Sequence, residues 1–166
     1  MRFSVSRAWT LLDTTLDVLT ALSFLLMALT LTLQIVARYV LNWPLAWPEE
    51  FSILFFAWSV WLGGAGGMRE GRQIRIDVID FYAPASVRRI LEPALTILSL
   101  AFLALVVWYG VKVTESQSTA EYDILPVSRA VLYAVAPVMG SIMALYLLRI
   151  LARQLGLVPN PGPEQQ

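Results

Sequence analysis

The sequence predicts an all-α integral membrane protein: four transmembrane helices with an interfacial amphipathic helix between the second and third. Three observations predict it. Apolar residues make up 58% of the chain and charged residues 14%, against roughly 25% charged in an ordinary soluble domain. Four runs, at about 18–37, 51–68, 94–111 and 130–148, contain no Asp, Glu, Lys or Arg. At 1.5 Å rise per residue each covers about 27–30 Å, close to the hydrocarbon thickness of a bilayer. Finally, a chain of 166 residues holding four such runs has too little polar sequence left to bury them inside a soluble core. Residues 1–153 then form a single four-helix membrane domain, and 154–166, rich in proline, form a disordered cytoplasmic tail.

Composition also removes whole classes of function. Net charge is zero, so no nucleic-acid partner follows from overall charge. The chain has no cysteine and no histidine, which excludes disulfides, thiolate metal sites, imidazole-held haem and histidine acid–base catalysis. No cofactor, metal site or enzymatic activity is expected. The basic residues fall unevenly about the spans. Arg2, Arg7, Arg69, Arg72, Arg75, Arg88, Arg89, Arg149 and Arg153 lie on one side, and Arg38, Lys112 and Arg129 on the other. The excess of basic residues belongs in the cytoplasm, which puts both termini there.

The first span follows Arg2, Arg7, Asp13 and Asp17. The two acids break what would otherwise resemble a signal peptide, and no small-x-small cleavage site follows the apolar segment before Arg38, so a retained anchor is expected. Asp13 and Asp17 share a helical face and suit a helix N-terminus. Thr30, Thr32 and Gln34 make the outer half of this span polar. The threonines either reach across a helix interface or bond back to their own helix, and Gln34 is the better candidate for an interhelical contact.

The stretch 38–50 concentrates charge, aromatic rings and turn residues more tightly than any other. Arg38, Trp43, Trp47, Glu49 and Glu50 read as an outer clasp of the first two helices and a surface for partner docking. An ion pair of Arg38 with Glu49 or Glu50 is expected, contributing about 0–1 kcal/mol at a wet interface. Pro48 suits the first helical position of the second span, and the two glutamates suit its positive dipole end. That span ends in Gly63 and Gly67, a GxxxG pair at which another helix can approach closely.

Beyond it, residues 73–78 alternate polar and apolar, as a strand would. A lone strand at a membrane surface would leave its backbone unpaired. As a helix the segment of about 72–92 is amphipathic and lies along the interface, with Arg69, Arg72, Arg75 and Asp77 facing the cytoplasmic boundary. Pro84 opens a new helix, Arg88 and Arg89 are spaced to pair with Glu92, and Pro93 marks a kink or the start of the third span. The third span closes in Trp108, Tyr109 and Lys112, an interfacial belt. The outer loop that follows carries Glu115, Glu121 and Asp123. A solvated loop is its simplest reading, and contact with a periplasmic binding protein is the alternative. Pro137 and Gly140 predict a bend near the middle of the fourth span.

All acids and bases lie outside the four runs, whereas a self-contained transporter usually carries an ionisable group or broken helix at mid-membrane. At this point one family becomes recognisable. Arg38-Tyr39, Trp43-Pro44-Leu45, Trp47, Glu49-Glu50, Arg69-Glu70-Gly71 and Ile74-Arg75-Ile76-Asp77 resemble the small, DctQ-type membrane subunit of tripartite ATP-independent periplasmic (TRAP) transporters. The resemblance covers roughly residues 10–153, with Leu125-Pro126, Pro137 and Arg149 matching the family's last helix. Gln73 departs from it, since a histidine is common there. The resemblance implies a non-catalytic scaffold in the inner membrane. Its partners would be a large sodium-coupled, elevator-type membrane subunit and a periplasmic substrate-binding protein that delivers a carboxylate. Two other readings stay open at this level: a self-sufficient homo-oligomeric transporter, and a membrane anchor for another protein.

Overall fold

The computed structural model describes residues 2–69 and 85–157. Its helices are α1 (Arg2–Tyr39), α2 (Trp47–Arg69), α3 (Ala85–Ser116), the single-turn α4 (Ala130–Tyr133) and α5 (Val135–Gln154). Each apolar run is helical. Four stretches are long and apolar enough to cross a membrane: Trp9–Tyr39, Trp47–Met68, Arg89–Ser116 and Ala130–Gln154. All four extend beyond the runs read from sequence.

The longest extension is in α1. Residues 2–12 contain no glycine or proline, so nothing stops the helix from propagating back to Arg2. Asp13 and Asp17 therefore lie mid-helix, not at an N-terminus. α3 likewise starts at Ala85 and runs through Pro93, so Pro93 does not begin the third span. Residues 85–92, expected in the amphipathic segment, are continuous with that span. The rest of the segment, including Arg72, Arg75 and Asp77, lies outside the described residues.

Two helical hairpins make the bundle. α1 packs on α2, α3 packs on α5, and α2 against α5 joins the pairs. The core sits at this central seam, where Leu62, Ala65, Met143 and Leu147 are buried with Leu16, Leu103, Val135, Met139 and Tyr146. Outward-facing Phe24, Leu98, Phe102 and Leu145 stay exposed, as lipid-facing positions should when helices are apolar all round. Hydroxyls inside the helices bond back to their own backbone. Thr30 Oγ1 donates to Leu26 O at 2.6 Å, Thr32 Oγ1 to Ala28 O at 2.8 Å, Ser52 Oγ to Glu49 O at 2.9 Å and Ser59 Oγ to Phe56 O at 2.8 Å. The threonines thus take the local option. Gln34 is half-buried, and among the described residues it forms no hydrogen bond across α1 and α2.

The bend in the fourth span falls near its start. α4 stops at Tyr133 and α5 begins at Val135. Pro137 has no N–H to give to the Tyr133 carbonyl, and its ring crowds that carbonyl. The helix therefore breaks four residues before the proline. Trp58 Nε1 compensates in part, donating to the Val131 carbonyl in α4 at 3.2 Å. α5 ends in a Schellman motif: Leu157 N donates to Ala152 O at 2.9 Å and Gly156 N to Arg153 O at 3.0 Å, with Gly156 at φ 73°. That left-handed conformation favours glycine. Residues 154–157 of the expected tail are consequently ordered, and 158–166 lie outside the described residues.

Candidate functional site at the turn end of the bundle

The α1–α2 turn and the α3–α4 loop lie together at one end of the bundle, opposite the termini. α1 ends at Tyr39, and Asn42 takes φ 52°, a left-handed conformation that asparagine tolerates better than most residues. The chain reverses there, letting Trp43 N donate to Ala37 O at 2.9 Å. The turn leaves Tyr39, Val40, Leu41 and Trp43 exposed. α2 then begins at Trp47, with Pro48 fully buried. Trp47 meets Phe51 edge-on at 5.6 Å, and Phe51 stacks on Phe55 at 5.9 Å.

Burial of Pro48 sets the rotation of the first turn of α2, and that turn aims Glu50 across to the other hairpin. Its carboxylate accepts three consecutive backbone N–H groups. Oε1 takes Asp123 N at 3.0 Å, and Oε2 takes Leu125 N at 2.9 Å and Ile124 N at 3.3 Å. Successive amides that converge on one anion form a nest, and hydrogen bonds to an ionised acceptor are about twice as strong as neutral ones. This junction, not an ion pair with Arg38, closes the turn end. Arg38 lies 5.8 Å over the Tyr39 ring and is exposed. Among the described residues neither Glu49 nor Glu50 pairs with it. Arg38 sits in the last turn of α1, where its charge favours the negative dipole end.

The loop held by Glu50 has its own internal order. Glu121 and Ser128 form an antiparallel bridge. Tyr122 N donates to Val127 O at 3.2 Å, and Arg129 N to Ala120 O at 2.8 Å. Ser128 Oγ donates among the carbonyls of Gln117, Ser118 and Ala120 and accepts Ala130 N, the first N–H of α4, at 3.1 Å. Arg129 Nη2 bonds Asp123 Oδ1 at 3.3 Å, and its guanidinium lies 5.9 Å from the Tyr122 ring centre. Glu115 and Glu121 stay exposed.

Of the residues singled out in sequence, Glu50 and Asp123 are thus brought together, through the Asp123 backbone. Arg38, Glu49, Glu115 and Glu121 stand apart from that junction. Tyr122, Ser128 and Arg129 belong to it although no sequence pattern marks them. Arg129, six residues beyond Asp123 and just before an apolar run, is the one whose role could have been guessed.

Tyr122 yields a pH prediction. Its hydroxyl is buried and lacks a hydrogen-bond partner among the described residues. Burial first, and the Glu50 charge second, push its pKa above the usual 10.0, with Arg129 acting in the opposite sense. A tyrosine with a raised folded-state pKa contributes stability that is fully present below the unfolded value and is lost as pH rises through the folded one. Thermal unfolding of the purified chain should therefore fall more steeply above pH 10 in wild type than in Tyr122→Phe, with the two alike or the variant slightly higher at pH 7. Parallel curves would show that Tyr122 does not titrate in this junction.

The glycines of α2 divide differently from expectation. A Cβ at Gly64 would lie 2.7 Å from Met143 Cε, so Gly64 is the tight position. A Cβ at Gly63 would be at an ordinary 3.9 Å from Thr20 Cγ2, and at Gly67 nothing lies within 4 Å. Gly63 and Gly67 border an open groove of about 660 Å³ between α1 and α2, shared with Phe24 and Phe56. No group of residues among those described is arranged to hold a metal ion.

Comparison with known proteins bears on this arrangement. The family model described as "Tripartite ATP-independent periplasmic transporters, DctQ component" matches residues 27–157, which takes in both halves of the junction. A relative from Vibrio cholerae serotype O1 (strain ATCC 39315 / El Tor Inaba N16961) bears the name C4-dicarboxylate TRAP transporter small permease protein DctQ. It is 30% identical over 83 residues, covering 49% of this chain and 36% of the relative. The aligned part thus spans about a third of that protein.

Proposed function

The chain belongs to the DctQ component family of TRAP transporters, and from that premise we propose that it is the non-catalytic small permease subunit of a sodium-coupled uptake system. It pairs with a large elevator-type membrane subunit, stabilises the stationary scaffold, and helps a periplasmic binding protein dock. The family match carries this reading. Two further features support it. No acid or base interrupts the four apolar runs, so the chain has little with which to bind and move an ion or carboxylate by itself. The helix hydroxyls are also satisfied locally, so the bundle reads as a structural element.

In this reading the turn end faces the periplasm and both termini face the cytoplasm. The Glu50-held loop and the exposed Tyr39–Trp43 turn then form the surface offered to the binding protein. The open groove beside Gly63 and Gly67 receives a helix of the large subunit. A carboxylate substrate fits the name of the Vibrio relative, and its recognition belongs to the other chains.

The test is co-expression with a large TRAP membrane subunit from the same genome. A stable complex should form, and in proteoliposomes it should take up a carboxylate only with a sodium gradient and the binding protein present. Flux from this chain alone, or a large subunit that is fully active without it, would overturn the proposal.

A further inference from the structure

We propose that Arg149 and Arg153 of α5, with Trp9 of α1, form a site for the phosphate of an anionic phospholipid at the terminal end of the bundle. The two arginines are one turn apart, which sets their Cβ atoms about 5–6 Å from each other on one helix face. Like charges so placed repel unless an anion lies between them. Among the described residues no carboxylate fills that role. Asp13 of α1 accepts a hydrogen bond from the Tyr146 hydroxyl, one turn before Arg149, and among the described residues neither Arg149 nor Arg153 forms an ion pair.

Three further observations point to a phosphate. The Arg149 guanidinium lies 4.6 Å from the Trp9 ring centre, and Trp9 itself packs against Tyr146 at 5.3 Å. A guanidinium held over an aromatic face by cation–π attraction still has N–H groups to offer an anion. Arg153 Nε is buried and has no hydrogen-bond partner among the described residues, and a buried donor left unsatisfied costs free energy that an acceptor oxygen would recover. The arginines are also not needed to close the helix, because its last carbonyls are met by Gly156 N and Leu157 N.

Position selects a lipid as the source of that phosphate. The apolar stretch of α5 ends at Gln154, so both arginines stand where hydrocarbon gives way to headgroups. Exposed Leu145 and Leu148 lead along α5 from that level into the acyl region. Basic side chains at such a boundary gain about 1 kcal/mol each from anionic lipid, and guanidinium forks match phosphate oxygens in pairs.

The experiment uses the full chain in a neutral detergent. Phosphatidylglycerol should be retained in native mass spectrometry and should raise the unfolding temperature, whereas phosphatidylcholine does neither. Arg149→Gln/Arg153→Gln should weaken phosphatidylglycerol retention by about tenfold. Arg149→Lys/Arg153→Lys should keep most of it, which separates lost binding from misfolding. Equal retention of the two lipids by wild type, or an unchanged preference in the glutamine variant, would overturn the proposal. So would inorganic phosphate reproducing the thermal shift. A glutamine variant that binds lipid normally but no longer co-purifies with the large subunit would reassign the arginines to a protein contact.

Discussion

Glu50→Ala should lower the unfolding free energy of the isolated chain by about 2 kcal/mol and release the α3–α4 loop. One carboxylate holds three backbone amides of that loop, and hydrogen bonds to a charged group are worth about 1.5–3 kcal/mol each when buried. Asp123 and Ile124 are exposed while Leu125 is buried, so water replaces two of the bonds readily and the third poorly. That discount brings the total down to roughly the value of a single buried bond. The loop connects α3 to α4 and carries Ser128, whose Oγ accepts the first N–H of α4, so its release should propagate to the break before α5.

The neutral isostere sharpens the prediction. Both oxygens of Glu50 accept amide protons, so Glu50→Gln must turn its NH₂ toward at least one backbone donor. It should therefore lose most of what alanine loses, although its size is unchanged. Glu50→Asp, one methylene short, should also fail. Because the chain has no cysteine, a spin label at Glu121→Cys reports on the loop alone: its motion should quicken in all three backgrounds. Arg38 provides the control. If it took part, charge reversal at Arg38 would rescue reversal at Glu50; with Arg38 on Tyr39 instead, the two losses should simply add. Rescue would restore the Arg38–glutamate clasp and remove the amide nest as its explanation.

This junction also marks where sequence reading stops. The four helices were legible because a charge-free run of bilayer length has few other fates, and the interfacial Trp108, Tyr109 and Lys112 appear as a group, with Lys112 Nζ 5.1 Å from one ring and 5.9 Å from the other. Glu50 could be marked as special from its place behind Pro48 in the first turn of α2. Its partner could not be read, because backbone amides carry no residue signature. A charge invites the search for an opposite charge, and Arg38 was the nearest in sequence. The glycine tight against this chain's own helices was missed for a related reason. GxxxG spacing says which residues permit close approach, but helix rotation decides which of them another helix of this chain meets. Here rotation presents Gly64 to Met143 and leaves Gly67 open. Asp13 and Tyr146, 133 residues apart, were beyond any local pattern.

Gly110 is the position at which a side chain should do most harm. A Cβ there would lie 2.9 Å from Pro137 Cδ, 3.2 Å from Pro137 N and 3.5 Å from Ala136 Cβ. None of these atoms can rotate away, since two belong to a proline ring and the third is an alanine Cβ, fixed by the helix backbone that carries it. Pro137 is also the residue whose missing N–H separates α4 from α5, so the crowding would fall on the seam between the hairpin and the break. Overpacking of this kind costs about 1–3 kcal/mol, against the nearly 1 kcal/mol that alanine gains over glycine in a helix. Gly110→Ala should thus destabilise despite its better helix propensity, and Gly110→Leu should prevent α3 from seating on α5. The other glycines rank by what they meet. Gly140→Ala faces Val107 Cγ2 at 3.1 Å, a methyl group with some room to shift, and should cost less. Gly64→Ala meets only the flexible end of Met143 and should be close to neutral. Gly67→Ala meets nothing within 4 Å and should be neutral or stabilising in the isolated chain. Thermal unfolding of the four variants in one detergent tests the order directly. Equal effects across them would mean that loss of glycine flexibility, not the contact with Pro137, governs the response. Gly67→Leu, harmless alone, should weaken the complex with the large subunit if a partner helix occupies the α1–α2 groove, and an intact complex would leave that groove to lipid.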